Sequence, residues 1–246
     1  MQQHGSLPYL REVVLFLALA GIIIPLLPFY AQRYGADAFE VRTLADLDRV
    51  DGLVVPGGES TVIGKLAARY GLLQPLRERA GAGLPVFGTC AGMILLAREV
   101  EGPPQDLLGV LDVRVRRNAF GRQVASFEAE VDVKGVDGGP VSGAFIRAPW
   151  VAGSGPDVEV LAELDGRVVA VRQGNLLATA FHPELAGEVR LHRWLLDLAR
   201  AGLSEASRTV NAQGQTVRQV RNSAGQLLEI VTDSANRIVS SRNLGR

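Results

Sequence analysis

The heptapeptide Phe87-Gly88-Thr89-Cys90-Ala91-Gly92-Met93 constrains this chain more than any other stretch. An apolar run, Leu84-Pro85-Val86-Phe87, leads into it, and a helical pattern over residues 91–100 leads out. The reading is a strand, a sharp glycine-flanked turn and a helix, a layout that holds a side chain exposed above the end of a sheet. Cys90 is the only cysteine in the chain. A thiolate there gains from the positive end of the helix that begins beside it. The amide of Ala91 then points at the oxyanion of a tetrahedral intermediate. A lone cysteine is ordinarily a buried structural residue. The flanking glycines argue otherwise, because a core cysteine needs no such turn.

A nucleophilic thiol needs a base, and the chain has three histidines, His4, His182 and His192. His4 lies near the terminus. His192 falls in a helical pattern, Val189-Arg190-Leu191-His192-Arg193-Trp194, and reads as a surface or packing residue. His182 follows the strand-like Leu176-Leu177-Ala178-Thr179-Ala180-Phe181 and precedes Pro183-Glu184. It stands where a strand ends, with a carboxylate two residues on. Such a histidine can take the thiol proton while the carboxylate orients the imidazole and stabilises its charged form. Pro183 stiffens the turn between them and removes a competing donor.

Around these residues, short apolar runs alternate with helical stretches. Strands are predicted at 52–55, 86–88, 111–115, 125–133, 144–147, 158–164, 167–173 and 175–181, and helices at 61–70, 73–82, 91–100 and 187–201. The pattern is α/β, with a partly parallel sheet covered by helices and the site at strand ends. A chain of 246 residues can bury one sizeable core. Its 26 basic and 26 acidic side chains balance, which removes any electrostatic case for nucleic acid. One cysteine excludes an intrachain disulfide framework and suits a reducing compartment, so a cytoplasmic location is expected. No Cys/His cluster suggests a metal.

Five blocks complete the pattern: Pro56-Gly57-Gly58-Glu59-Ser60-Thr61, Gly88-Thr89-Cys90-Ala91-Gly92, Arg117-Asn118-Ala119-Phe120-Gly121-Arg122-Gln123, Phe145-Ile146-Arg147-Ala148-Pro149 and Phe181-His182-Pro183-Glu184-Leu185. With them the chain resembles the class I, triad glutamine amidotransferases. More narrowly it resembles the family of glutaminase subunits of pyridoxal 5'-phosphate synthase, over roughly residues 38 to 202. The resemblance implies a flavodoxin-like three-layer sandwich, a mixed, mostly parallel sheet with helices on both faces. It implies hydrolysis of L-glutamine to L-glutamate and ammonia by Cys90 as nucleophile, His182 as base and acid, and Glu184 as orienter. The glutamine site maps to Gly58, Glu59, Ser60, Arg117, Ile146 and Arg147, and the oxyanion site to Ala91 and Gly57. The physics agrees: arginines suit the α-carboxylate of the substrate, and Glu59 can meet its ammonium. No cofactor is implied. The implied partner is a synthase subunit, a (β/α)8 barrel assembled in a large ring.

Two segments depart from the family pattern. Residues 1–37 should carry a first strand ending Leu-Ala-Leu-Gln-Gly; here Leu17-Ala18-Leu19-Ala20-Gly21 stands there, with Ala20 in place of glutamine. Residues 13–30 form an uncharged apolar run of 18 residues, near the lower length for a membrane span or a long signal segment. A buried strand with an apolar connection is the reading favoured here, because the sheet needs its first strand in this register; a membrane role is the lesser one. After the amidotransferase domain at 38–203, residues 204–246 add a polar tail with a period of eleven. Arg221-Asn222-Ser223-Ala224-Gly225-Gln226-Leu227-Leu228 aligns with Thr232-Asp233-Ser234-Ala235-Asn236-Arg237-Ile238-Val239. Each unit reads as a turn followed by a short β run. A small meander is one reading and a flexible appendage the preferred one. The rival function is a non-catalytic binding or scaffold protein that keeps the triad residues; an amidotransferase serving another synthase is the third.

Overall fold

The computed structural model describes residues 13–16, 38–117, 126–202, 204–221, 227–232 and 238–245. Its first strands are β1 (Val13–Phe16), β2 (Phe39–Glu40), β3 (Gly52–Val55) and β4 (Val86–Thr89). Between and after them run the helices α1 (Leu44–Leu47), α2 (Ser60–Arg69), α3 (Leu73–Gly81) and α4 (Ala91–Leu96). The strands β5 (Ala97–Glu101), β6 (Leu111–Arg116), β7 (Ser126–Val131), β8 (Val141–Ile146), β9 (Trp150–Ser154), β10 (Glu159–Leu164), β11 (Arg167–Gln173) and β12 (Leu176–Thr179) follow. A 3-10 turn, Glu184–Ala186, precedes the helix α5 (Arg190–Ala201). The tail contributes β13 (Ser204–Val210), β14 (Thr216–Arg221), β15 (Leu227–Thr232) and β16 (Ile238–Gly245).

One mixed sheet of ten strands carries the site. Its order is β2-β1-β3-β4-β12-β11-β9-β6-β5, with β10 paired to β11. Pairing is parallel from β2 to β12 and again between β5 and β6. It is antiparallel through β12, β11, β9 and β6. Every residue of β3, β4 and β12 is buried, as expected of parallel strands covered on both faces. Alternation within β4 shows the two layers. Gly88 faces α4, where a Cβ would meet the backbone of Gly92, while its neighbour Phe87 faces α5, with its ring edge-on to His192 at 5.2 Å. Successive strand residues point to opposite faces, so α4 and α5 cover opposite sides of the sheet. Helix α5 buries Leu191, His192, Leu195, Leu196 and Ala199, the one-sided stripe that a covering helix requires. Phe87, Phe145 and Phe181 are fully buried, each contributing about 1.5–3 kcal/mol through area removed from water.

Two expectations need correction, and a third lies outside the described residues. The helix after Cys90 stops at Leu96, and residues 97–101 form the edge strand β5 instead of a continuing helix. Ala97 leaves the helix at φ −58, ψ 148. The charged residues beyond it pair with β6: Arg98 to Asp112 at 2.6 Å and Glu101 to Arg116 at 2.5 Å. The first strand lies at Val13–Phe16, between β2 and β3, so the strand expected at residues 17–21 falls outside the described residues. The tail is not a featureless appendage: β13, β14, β15 and β16 pair in order as an antiparallel meander. Strands β14, β15 and β16 begin at residues 216, 227 and 238, one per eleven-residue repeat. Among the described residues, no helix is long and apolar enough to cross a membrane.

The tightest contact in the sheet–helix layer is that of Gly92, where a Cβ would lie 1.9 Å from the carbonyl oxygen of Val55. Backbone on both sides leaves nothing flexible to yield. Gly92→Ala should lower the unfolding free energy by about 1–3 kcal/mol in urea denaturation, the ordinary cost of overpacking.

Candidate active site

Strand β4 delivers Cys90 into its turn, and the turn is strained. Cys90 has φ 50 and ψ −102, a conformation that residues with a Cβ rarely adopt. Two hydrogen bonds hold it there. Its N–H donates to the carbonyl of Thr179 at 2.8 Å, and its own carbonyl accepts from Ile94 N–H at 3.3 Å, opening α4. Helix geometry leaves the first amides of α4, Ala91 among them, without intrahelical acceptors.

The next strand, β12, runs parallel to β4 with Thr179 opposite Thr89, so the chain leaving β12 arrives beside the cysteine. His182 lies three residues beyond, and its backbone forms a two-way bridge with Ala144 of β8, N–H to carbonyl at 2.8 Å and the reverse at 3.2 Å. Its Nδ1 is 2.8 Å from Oε1 of Glu184, which also accepts from Thr89 Oγ1 at 3.4 Å. Cys90, His182 and Glu184 are 7%, 7% and 4% exposed. Gly57 packs against the imidazole; a Cβ there would lie 2.0 Å from His182 Cε1. Gly57, expected at the oxyanion site, thus lies against the imidazole of His182.

Burial is the largest influence on His182 and would lower its pKa. Hydrogen bonds to Cys90 and Glu184, and the negative charge of both partners, outweigh it and raise the value to about 10. An imidazolium at this position is suited to hold a thiolate and then to give its proton to a leaving amine. His192 behaves oppositely: burial pushes its pKa down, against the pull of Glu184 and Glu188. It is a core residue against Phe87, the packing role its helical position suggested.

A cleft of about 380 Å³, open to solvent, lies in front of the sulfur. Gly58, Glu59, Ser60, Cys90, Ala91, Ile94, Arg117, Ile146 and Arg147 line it. All six residues expected to meet the substrate are thus gathered around Cys90, from α2, the end of β6 and the end of β8. Arg117 Nη2 donates to Glu59 Oε1 at 2.9 Å. Burial would raise the Glu59 pKa, but hydrogen bonds from Thr61 and the charges of Arg117 and Arg147 hold it low. Ile146 delivers its carbonyl to the thiol, with Sγ 3.8 Å from the oxygen, and Arg147 follows at φ 45. Sequence reasoning missed Ile94, Thr89 as a second donor to Glu184, and the Ala144 bridge. Thr89 sits inside the elbow heptapeptide and carried a signal; the backbone bridge of Ala144 carried none. Residues 118–125, part of the Arg-Asn-Ala-Phe block, lie outside the described residues. Among those described, no cluster of three or more His, Cys, Asp or Glu side chains is placed to hold a metal ion.

Residues 17–200 match the model of the SNO glutamine amidotransferase family. The chain is 62% identical over 169 residues to the pyridoxal 5'-phosphate synthase subunit PdxT of Frankia alni, covering 68% of this chain and 85% of that one. It is 49% identical over 171 residues to PdxT of Carboxydothermus hydrogenoformans, covering 70% and 90%. A crystal structure of a glutamine amidotransferase superposes with a TM-score of 0.72 at 50% identity, covering 76% of this chain and 99% of the other. PurLQS of Thermotoga maritima, at 19% identity and a TM-score of 0.53, shares the fold alone, over 78% and 99%.

The geometry at His182 carries a testable consequence. In the unfolded chain the imidazole returns to its ordinary value of 6.5, so the raised folded value makes the pair stabilising. That contribution is complete below pH 6.5 and is lost as pH rises through about 10. Glu184→Gln removes one of the charges that raise the value and leaves the contact with Cys90 alone to offset burial. The His182 titration, followed by imidazole NMR, should then move down by more than about one unit, and the decline in unfolding free energy across that window should flatten.

Proposed function

The chain belongs to the SNO glutamine amidotransferase family, and we propose that it is the glutaminase of a pyridoxal 5'-phosphate synthase, with Cys90, His182 and Glu184 as its triad. The observation that carries this reading is one of placement. The His182–Glu184 couple, at 2.8 Å, stands at the thiol of Cys90, and the thiol opens into a cleft lined by Glu59, Arg117 and Arg147.

The chemistry follows from those groups. Glutamine enters with its α-carboxylate toward Arg117 and Arg147 and its ammonium toward Glu59. The thiolate of Cys90 attacks the carboxamide carbon, and the carbonyl electron pair moves onto oxygen. Ala91 N–H, at the start of α4, supplies the donor for that oxyanion. His182 passes its proton to the amide nitrogen, the C–N bond breaks, and ammonia leaves a thioester on Cys90. Neutral His182 then takes a proton from water as the hydroxide adds to the thioester carbon. The C–S bond breaks, glutamate departs, and the sulfur and the imidazole are left as they were before the attack. Glu184 holds the imidazole orientation and its positive charge throughout.

The relatives are named as subunits of pyridoxal 5'-phosphate synthase, and the ammonia is assigned to such a partner, a (β/α)8 barrel subunit assembled in a ring. Cys90→Ala should reduce glutamate release from L-glutamine by about a thousandfold or more, measured with and without the synthase subunit. Calorimetry on the same variant should still detect glutamine, because the cleft groups remain. Residual Cys90-independent release would overturn the assignment.

A further inference from the structure

Behind the cleft, outside its lining, stands a side chain that the mechanism does not use. Gln105 lies on the connection between β5 and β6. That connection is fixed to the helices: Leu108 N–H donates to Leu95 carbonyl at 2.7 Å and Val110 N–H to Leu96 carbonyl at 3.0 Å. Arg77 of α3 donates through Nε to the Leu108 carbonyl at 2.8 Å and through Nη2 to the Leu107 carbonyl at 2.7 Å. Helix α2 closes on the same connection. A Cβ at Gly64 would lie 2.3 Å from the carbonyl oxygen of Asp106, the residue after Gln105. Gln105 is therefore carried on a rigid base.

Its amide oxygen accepts from two cleft residues. Ser60 Oγ donates at 3.2 Å and Arg117 Nη1 at 3.5 Å. The other arm of that guanidinium, Nη2, donates to Glu59. Two cleft residues thus meet at one neutral oxygen, and Arg117 links them on to Glu59. The Nε2 of the same amide is buried and finds no hydrogen-bond partner among the described residues. A buried polar atom left unpaired is unfavourable. A methionine would fill the same length without that cost, so packing alone does not ask for glutamine here. A glutamate would accept the same two hydrogen bonds, but its charge would neutralise Arg117.

We propose that Gln105 is a positioning residue for the amino-acid end of the cleft: its uncharged oxygen fixes Ser60 and the Arg117 guanidinium while leaving the arginine charge for the α-carboxylate of the ligand. This rests on the glutaminase reading above and extends it to a residue that holds the cleft wall from behind and does not itself line the cleft.

The test separates the two ends of the site. A glutamine analogue with a diazoketone in place of its carboxamide alkylates Cys90 and needs the α-carboxylate contacts. Iodoacetamide alkylates the same sulfur and has no α-carboxylate. In the full chain, Gln105→Met should slow labelling by the analogue about tenfold, the value of one hydrogen bond to a charged group. Gln105→Glu should slow it at least as much, although both hydrogen bonds can still form. Iodoacetamide should react with both variants at the parent rate. Analogue labelling of Gln105→Met within about twofold of the parent would overturn the proposal, and so would a parallel fall with both reagents, which marks general damage. A parent chain that the analogue does not label, while iodoacetamide does, would remove the glutaminase reading and the role of Gln105 with it.

Discussion

The site depends on the backbone of Cys90 being held in a conformation that its own Cβ opposes. Such a conformation costs on the order of 1–3 kcal/mol and persists only where the surroundings impose it. Here the sheet does so. Strand β4 is locked between β3 and β12, with Gly88 opposite Val55 and Ala178. The N–H of Cys90 is tied to Thr179. On the helical side, Gly88 and Gly92 remove the side chains that would push α4 away from the sheet. Relaxing any of these contacts turns the sulfur away from His182. The close packing is therefore part of the catalytic geometry.

The second consequence is that His182 and the loop carrying Ile146 and Arg147 share one support. Strand β8 pairs through Ala144 with the backbone of His182, and two residues later presents the Ile146 carbonyl to Cys90 and then the strained Arg147 to the cleft. Gly143, on the same strand, lets Phe181 lie against the backbone; a Cβ would approach that ring to 2.5 Å. A shift of β8 therefore moves His182 and Arg147 together. The proton position also decides which contact the sulfur keeps. A neutral thiol can donate to the Ile146 carbonyl, whereas a thiolate is repelled by that oxygen and accepts from the His182 imidazolium.

What could be read from the sequence was the chemistry written in contiguous residues. The elbow is seven consecutive residues, the base and its orienter are three, and the glycine turn with Glu59 and Ser60 is one block. Each announces its geometry through glycine, proline or a strand end. What escaped depends on contacts between distant segments. Residues 97–101 show no clear alternation, the apolar helix before them extends smoothly into Ala97, and it is pairing with the distant β6 that ends it. The Ala144 bridge is made by backbone atoms, which leave no mark on residue type. Gln105 belongs to no motif, and its role comes from a loop being pinned between α2, α3 and α4. The tail shows the converse case: its period of eleven was legible, and whether it becomes a sheet depended on pairing that period alone does not fix.

The charges of the cleft explain why a zwitterion is the fitting occupant. Glu59, Arg117 and Arg147 form a set of one anion and two cations, with the carboxylate already paired to Arg117. That pair is partly exposed, the side chains of Arg117 and Glu59 being 28% and 46% accessible, so it contributes little to the stability of the fold. Its value lies in exchange. A ligand bearing both an ammonium and a carboxylate can insert between the partners and leave each group still matched. A simple carboxylic acid would satisfy an arginine while adding a second negative charge beside Glu59, and a simple amine would meet Glu59 while facing two arginines. An amino acid avoids both penalties.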